Sequence, residues 1–239
     1  MAKIETAMVF AAGLGTRMLP LTKNLPKPMV KVLGKPLIDY RLDKLAEYGI
    51  KRVVVNTFHL AQIIEDYLKN RKDMEIIISR EELRLETGGG LLKALPHLGK
   101  KPFFVINSDV IWIDKGSPAL QRLSESWDEK HMKILMLLQK TGKAIGYEGA
   151  GDFELQDDGQ VSKNSGQNHP YVFSGIQIFS PSLLAGMELK PFSLSQIFRE
   201  RRQENDNLEG MYGIEHNGQW LHIDSVKGIK RAEKILSEI

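Results

Sequence analysis

Ala7–Pro28, AMVFAAGLGTRMLPLTKNLPKP, decides how the chain reads. Ala7–Ala12 is a short apolar run ended by glycine, the pattern of a buried strand. Gly13 and Gly15 follow at once. Open α/β sheets bind ligands at the carboxyl ends of their strands, and two glycines let backbone N–H groups approach an anion closely. Arg17 lies just past the glycines, and Lys27 is held between Pro26 and Pro28, which restrict the local backbone. A cation on a stiff segment loses less entropy when it grips a phosphate. Two better-known phosphate loops are excluded. No G-x-x-x-x-G-K-[ST] occurs, and Met18 stands where the dinucleotide fingerprint needs its third glycine.

Outward from this stretch, strands and helices alternate. Leu37–Tyr48 has apolar residues at Leu37, Ile38, Leu42 and Leu45, with Gly49 placed to end a helix. Arg52–Thr57, Glu75–Ser79, Phe103–Asn107 and Ile134–Leu138 read as strands. Leu60–Asn70, Leu91–Leu98 and Pro118–Trp127 read as helices. This rhythm predicts a mostly parallel sheet with helices on both faces. After residue 140 hairpin signals appear at Asp158-Gly159 and Asn217-Gly218, the second between Met211–His216 and Gln219–Ile223. Tyr171–Phe179 is a longer strand, Ser193–Asn205 a helix, and Ser225–Ile239 a closing helix capped by Asp224 or Ser225. A single domain over 1–239 is expected, the second half (113–239) decorating the sheet of the first (1–112).

Composition narrows the function. The 239 residues hold no cysteine, which excludes disulfides, Cys-ligated zinc and a Cys nucleophile. The 33 basic and 30 acidic residues give a net charge of +3, too balanced to imply a nucleic-acid partner. No apolar run is long enough for a membrane span, and the opening apolar stretch is too short for a secretory signal, so a cytoplasmic location is expected. No Ser-His-Asp pattern or H-E-x-x-H is present.

Three further constellations carry chemistry. Glu86–Gly90 (ETGGG) places three glycines before a helix, where backbone can approach a flat ligand. Asn107-Ser108-Asp109 ends an apolar strand, and a carboxylate there suits a hard cation. In Trp220-Leu-His222-Ile-Asp224-Ser225, His222 and Asp224 are spaced to share one face of a strand. Either side chain then suits a metal. The carboxylate favours Mg²⁺, the imidazole tilts toward Mn²⁺, and Asp224 has the alternative role of helix cap.

Gly13-Leu-Gly15-Thr16-Arg17-Met-Leu-Pro20-Leu-Thr22-Lys-Asn-Leu-Pro26-Lys27-Pro28 resembles the signature of the sugar-1-phosphate nucleotidylyltransferases. The resemblance implies a Rossmann-like, doubly wound α/β sheet with β-hairpin insertions, in a single domain with a nucleotide-binding half (1–112) and a sugar-binding half (113–239). It implies a nucleotidyl transfer from a nucleoside triphosphate to a hexose 1-phosphate, with release of pyrophosphate. It further implies that the Gly13–Thr16 backbone, with Gly13, Gly15 and Thr16, wraps the triphosphate, and that Ala11 and Ala12 also bind the nucleotide. Arg17 then holds the β- and γ-phosphates, Lys27 lies at the α-phosphate, Asn107 lies beside the nucleotide and Gly88 meets the base. Asp109 matches the family's metal-binding Asp, with Mg²⁺ as cofactor (Mn²⁺ as an alternative). The family's second metal position holds His222 here, with Asp224 two residues on. Gly146 and Gly175 match sugar-side glycines, and Asn164 offers an amide to a sugar hydroxyl. LETGGG with LLKALPHLG resembles the branch that acts on UTP and N-acetylmuramate 1-phosphate in peptidoglycan recycling. Mannose-1-phosphate guanylyl transfer is the leading rival within the family, followed by glucose-1-phosphate uridylyl or thymidylyl transfer or that of another hexose 1-phosphate. A non-catalytic sugar-nucleotide sensor is the rival outside it, because the metal motif is altered.

Overall fold

The computed structural model describes residues 3–162, 169–201 and 207–239. In chain order the elements are β1 (Thr6–Phe10), β2 (Lys31–Val32), β3 (Lys35–Pro36), α1 (Leu37–Tyr48), β4 (Arg52–Thr57), α2 (Ala61–Leu68), β5 (Glu75–Arg80) and α3 (Glu86–Leu98). β6 (Phe103–Ile106), β7 (Val110–Ile113), α4 (Ala119–Ser126), β8 (Ile134–Lys140) and β9 (Ala144–Ile145) follow. β10 (Glu154–Leu155), β11 (Gln160–Ser162), β12 (Tyr171–Phe179), α5 (Leu194–Glu200), β13 (Asn207–Glu215), β14 (Gln219–His222) and α6 (Val226–Leu236) complete the chain.

Among the described residues the main sheet has nine strands in the order β10-β11-β13-β8-β12-β6-β1-β4-β5. β12 and β11 run against the other seven. Burial explains the near-continuous apolar runs of its central strands, such as Ala7–Phe10 in β1, Val53–Val55 in β4 and Phe103–Ile106 in β6. Ala7 and Val9 of β1 pack in one core with Ile38 and Leu42 of α1 and Ile64 of α2. Met8 and Phe10 pack in a second core with Leu91 of α3 and Ile197 of α5. Successive strand residues point to opposite faces, so a strand covered on both faces needs apolar side chains throughout. Helices on both faces are therefore the observed arrangement, as the alternation predicts.

Several boundaries move inward by a residue or two, and two expectations change in substance. Helix α3 starts at Glu86, so the glycine triplet lies in its first turns and not in a preceding loop. Asn217-Gly218 does not join a hairpin. β13 pairs with β8 and β11 in the main sheet, whereas β14 pairs with β7 and β9 in a separate three-stranded sheet. The turn redirects the chain between sheets because the carbonyl of Ile113 on β7 passes Gly218 closely. A Cβ there would lie 1.8 Å from that oxygen. The Asp158-Gly159 hairpin forms as expected, with Glu154 opposite Ser162 and Gly159 in the left-handed region at φ 83°. The Ser193–Asn205 helix ends at Glu200, and residues 202–206 of it lie outside the described residues.

His216 is buried at this crossing between sheets. Its Nε2 lies 3.2 Å from the Gln219 carbonyl, and its Nδ1 has no hydrogen-bond partner among the described residues. Burial pulls the imidazole below its usual value of 6.5. Between that lowered value and 6.5 the unfolded chain binds the extra proton, so stability falls as pH drops through 6.5. Melting curves from pH 8 to pH 5 are expected to shift down more steeply for the wild type than for His216→Gln. Equal slopes would remove this assignment.

Candidate active site

The carboxyl ends of β1, β4 and β5 are tied together by one buried polar relay. The Ala11 N–H donates to Asn56 Oδ1 at 2.8 Å, and Asn56 Nδ2 donates to Glu81 Oε1 at 2.7 Å. The Leu85 N–H donates to Glu81 Oε2 at 3.0 Å. Glu81 is buried at the centre of this relay, with both carboxylate oxygens engaged. Buried polar groups this well satisfied rigidify their surroundings.

The glycine triplet serves the packing of α3. A Cβ on Gly88 would fall 2.2 Å from the Phe192 ring, one on Gly89 2.4 Å from the Lys190 carbonyl, and one on Gly90 2.7 Å from Glu81 Oε1. The Gly88 N–H donates to the Phe192 carbonyl at 2.8 Å. Gly88 is buried against Phe192, while Glu86 and Thr87 line the neighbouring cavity.

After β1 the chain turns through Gly15 at φ 66°, where the Thr22 methyl and Lys27 Cβ leave no room for a side chain. The Thr22 hydroxyl donates to the Gly15 carbonyl at 2.8 Å, which fixes the turn. A Cβ on Gly13 would meet none of the described protein atoms within 4 Å, and Gly13 lines the cavity. Lys27 is 8% exposed, and its Nζ lies 3.2 Å from Asp109 Oδ2. Burial pulls the Lys27 ammonium below the ordinary lysine value, against the pull of Asp109. Burial alone would raise the Asp109 carboxyl. The His222 imidazole, 3.7 Å away, and Lys27 outweigh it and hold the carboxyl well below the usual carboxylate range. Across the cradle, Arg17 Nη1 donates to Asp224 Oδ2 at 3.0 Å. Ser225 caps α6 through the Gly228 N–H, which leaves Asp224 free for Arg17.

Arg41 carried no signal in the motif reading. It is fully buried on α1, and its guanidinium donates to the carbonyls of Asn107 (3.1 Å), Leu37 and Val110. It thereby clamps both sides of the turn that presents Asp109. Burial pulls it down to about 9, which leaves it charged at neutral pH. A signal did exist: Arg41 falls among Ile38, Leu42 and Leu45 on the apolar face of the helix, where a cation needs buried acceptors.

Three adjoining cavities form a trough. The first, about 350 Å³, is lined by Phe10, Ala12, Asn56, Glu81, Thr87 and Asn107. It shares Gly13, Arg84, Ser108 and Asp109 with a second of about 230 Å³, lined by Gly15, Thr16, Arg17, Lys27 and Asp224. That cradle shares Arg17 and Asp224 with a third of about 440 Å³, lined by Gly146, Tyr147, His222 and Arg231. The structure thus gathers Ala12, Gly13, Gly15, Thr16, Arg17, Lys27, Asn107, Asp109, Gly146, His222 and Asp224 along one surface. Gly175 is not among them. It is buried at φ 81°, and a Cβ on it would lie 2.9 Å from Asn107 Cβ. Its bareness makes room for Asn107. Asn164 lies outside the described residues.

The nucleotidyl transferase family model matches residues 6–187. The chain belongs to the nucleotidyl transferase family. It is 37% identical over 240 residues to N-acetylmuramate alpha-1-phosphate uridylyltransferase of Caulobacter vibrioides, covering 98% of both chains. The enzyme of the same name from Neisseria meningitidis is 34% identical, covering 96% of this chain and 97% of that one. The mannose-1-phosphate guanylyltransferase catalytic subunit beta of Danio rerio is 28% identical over 92% of this chain and 61% of its own length. The fold matches UDP-glucose pyrophosphorylase complexed with UDP-glucose at TM-score 0.78 and 19% identity, covering 98% and 99% of the two chains. This nucleotidyl transferase has no helix among its described residues long and apolar enough to cross a membrane.

Members of the family generally use a divalent metal, and the donors here fit one. Asp109 and Asp224 both line the cradle, with His222 beside Asp109. Among the described residues no group of three or more acidic or histidine side chains is gathered to hold an ion. One or two protein carboxylates, completed by phosphate oxygens and water, is the pattern of Mg²⁺ in nucleotide sites.

Proposed function

We propose that this nucleotidyl transferase moves the uridylyl group of UTP to N-acetylmuramate α-1-phosphate, forming UDP-N-acetylmuramate and pyrophosphate. The substrate assignment rests on the similarity to the Caulobacter uridylyltransferase, 37% identity extending over 98% of both chains. The trough supports the reaction. The base enters the first cavity, the triphosphate lies in the cradle, and the sugar phosphate approaches from the third. Apart from Ser193, the first cavity is lined by residues up to Asp109, and apart from Arg17 the third is lined by residues from Gly146 onward. On this reading residues 1–112 form the nucleotide-binding half and residues 113–239 the sugar-binding half. The product would feed peptidoglycan recycling in the cytoplasm.

A phosphate oxygen of the sugar attacks the α-phosphorus in line. A new P–O bond forms as the bond to the oxygen bridging the α- and β-phosphorus breaks, and the electron pair leaves with pyrophosphate. The nucleophile is already an anion, so no side chain need take a proton. The protein's task is to bring two anions together and to neutralise charge. Lys27 does so at the α-phosphate and Arg17 at the departing pyrophosphate, while backbone at Gly13, Gly15 and Thr16 follows the phosphates. Asp109 and Asp224, with His222 alongside, would hold Mg²⁺ (or Mn²⁺), which neutralises phosphate charge when bound.

The test is a matrix of four nucleoside triphosphates against the 1-phosphates of N-acetylmuramate, N-acetylglucosamine, mannose and glucose, read by pyrophosphate release. UTP with N-acetylmuramate 1-phosphate is expected to give a kcat/KM at least about tenfold above any other pair, the size of a 1.4 kcal/mol preference. EDTA is expected to abolish it. GTP with mannose 1-phosphate leading the matrix would overturn the substrate assignment. Nucleotide binding without pyrophosphate from any pair would overturn the reaction.

A further inference from the structure

The two cations already placed in the cradle each face a carboxylate. Lys27 lies 3.2 Å from Asp109, and Arg17 lies 3.0 Å from Asp224. Together the four groups sum to no net charge, yet a nucleoside triphosphate brings about four negative charges. One further cation lines the same cradle, Arg84. Its only ion-pair partner among the described residues is Glu86 at 3.7 Å, beyond hydrogen-bond reach, and its side chain is exposed.

Arg84 also has a fixed base. It precedes Leu85, which is buried, whose N–H is held by Glu81 and whose carbonyl accepts from the Phe192 N–H at 3.2 Å. The backbone is therefore set while the guanidinium is uncommitted. Arg84 lines both the base cavity and the phosphate cradle, at the boundary between them. In a nucleotide running from one cavity into the other, the group at that boundary is the phosphate next to the nucleoside. A guanidinium offers a planar fork that matches phosphate oxygens in pairs.

We propose that Arg84 is a third phosphate-binding cation of this site, gripping the phosphate nearest the nucleoside and turning a neutral cradle into a positive one. The inference rests on the nucleotide placement above. The same phosphate carries the reacting phosphorus, so the grip holds through the transfer.

The experiment compares the wild type with Arg84→Gln and Arg84→Lys in ligand-observed NMR titrations of uridine, UMP and UTP without metal. The side chain is exposed, so both variants are expected to melt with the wild type. For Arg84→Gln, UMP and UTP are expected to bind about tenfold more weakly, with uridine within twofold. Arg84→Lys is expected to recover part of the loss. In turnover, the KM for the sugar phosphate is expected to stay within twofold while kcat/KM for UTP falls about tenfold or more. Equal weakening of all three ligands would mean that Arg84 shapes the base cavity and would overturn the proposal. So would binding unchanged from the wild type. Should the wild type itself bind no uridine nucleotide, the nucleotide placement fails, a result distinct from either of these.

Discussion

Lys27→Met is expected to lower turnover about a thousandfold and to leave the fold intact. The methionine keeps most of the buried stem and removes only the ammonium. Two unit charges about 4 Å apart interact by about 4 kcal/mol at an effective dielectric of 20, and 4 kcal/mol is roughly a thousandfold in rate. Stability should change little for an opposing reason. Burial already pulls the Lys27 ammonium below its ordinary value, so the folded chain holds that charge at a cost which the variant removes. Asp109 loses one partner but keeps His222 at 3.7 Å and is itself partly exposed. Pyrophosphate release at saturating substrates, with a melting curve beside it, checks both halves. Turnover within tenfold of the wild type would displace Lys27 from the reacting phosphate.

Arg41→Met is expected to act on stability first and activity second. The Asn107 carbonyl loses the guanidinium donor beside the turn that carries Asp109, and the Val110 carbonyl loses a second. A buried polar group left unpaired costs about 1–3 kcal/mol. Part of that is offset because a desolvated cation is removed as well. A net loss of about 2 kcal/mol lowers Tm by roughly 4–8 °C in a chain of this size. Measured well below both melting temperatures, activity should still fall, because the Asp109 turn is no longer held from beneath. Arg41→Lys, which can reach one carbonyl, is expected to lie between the two. A variant with unchanged Tm would mean that water or backbone satisfies those carbonyls.

The glycines separate what was legible from what was not. Gly49 and Gly159 read correctly because each obeys a local rule: a left-handed residue ends a helix or turns a hairpin. Gly88 and Gly175 followed no such rule. Their bareness answers to Phe192 and Asn107, residues distant in sequence, and no local pattern names those neighbours. Arg41 and Asn56 were similar. Each was visible as a polar residue in an apolar pattern, but the groups it satisfies come from other elements.

The sequence by itself determined the two-faced sheet, the ends of α1 and β4, and the charged cradle after the first strand. Hydrophobic period, steric limits on glycine and proline, and the order of cations along a short segment are all local, and they act before any tertiary contact forms. Only the tertiary structure decided that β14 leaves the main sheet, that Ser225 caps the last helix while Asp224 meets Arg17 across 207 residues, and that Arg41 lies beneath the Asp109 turn. Those outcomes depend on which buried groups find partners when the layers close, and that competition is settled in space, not along the chain.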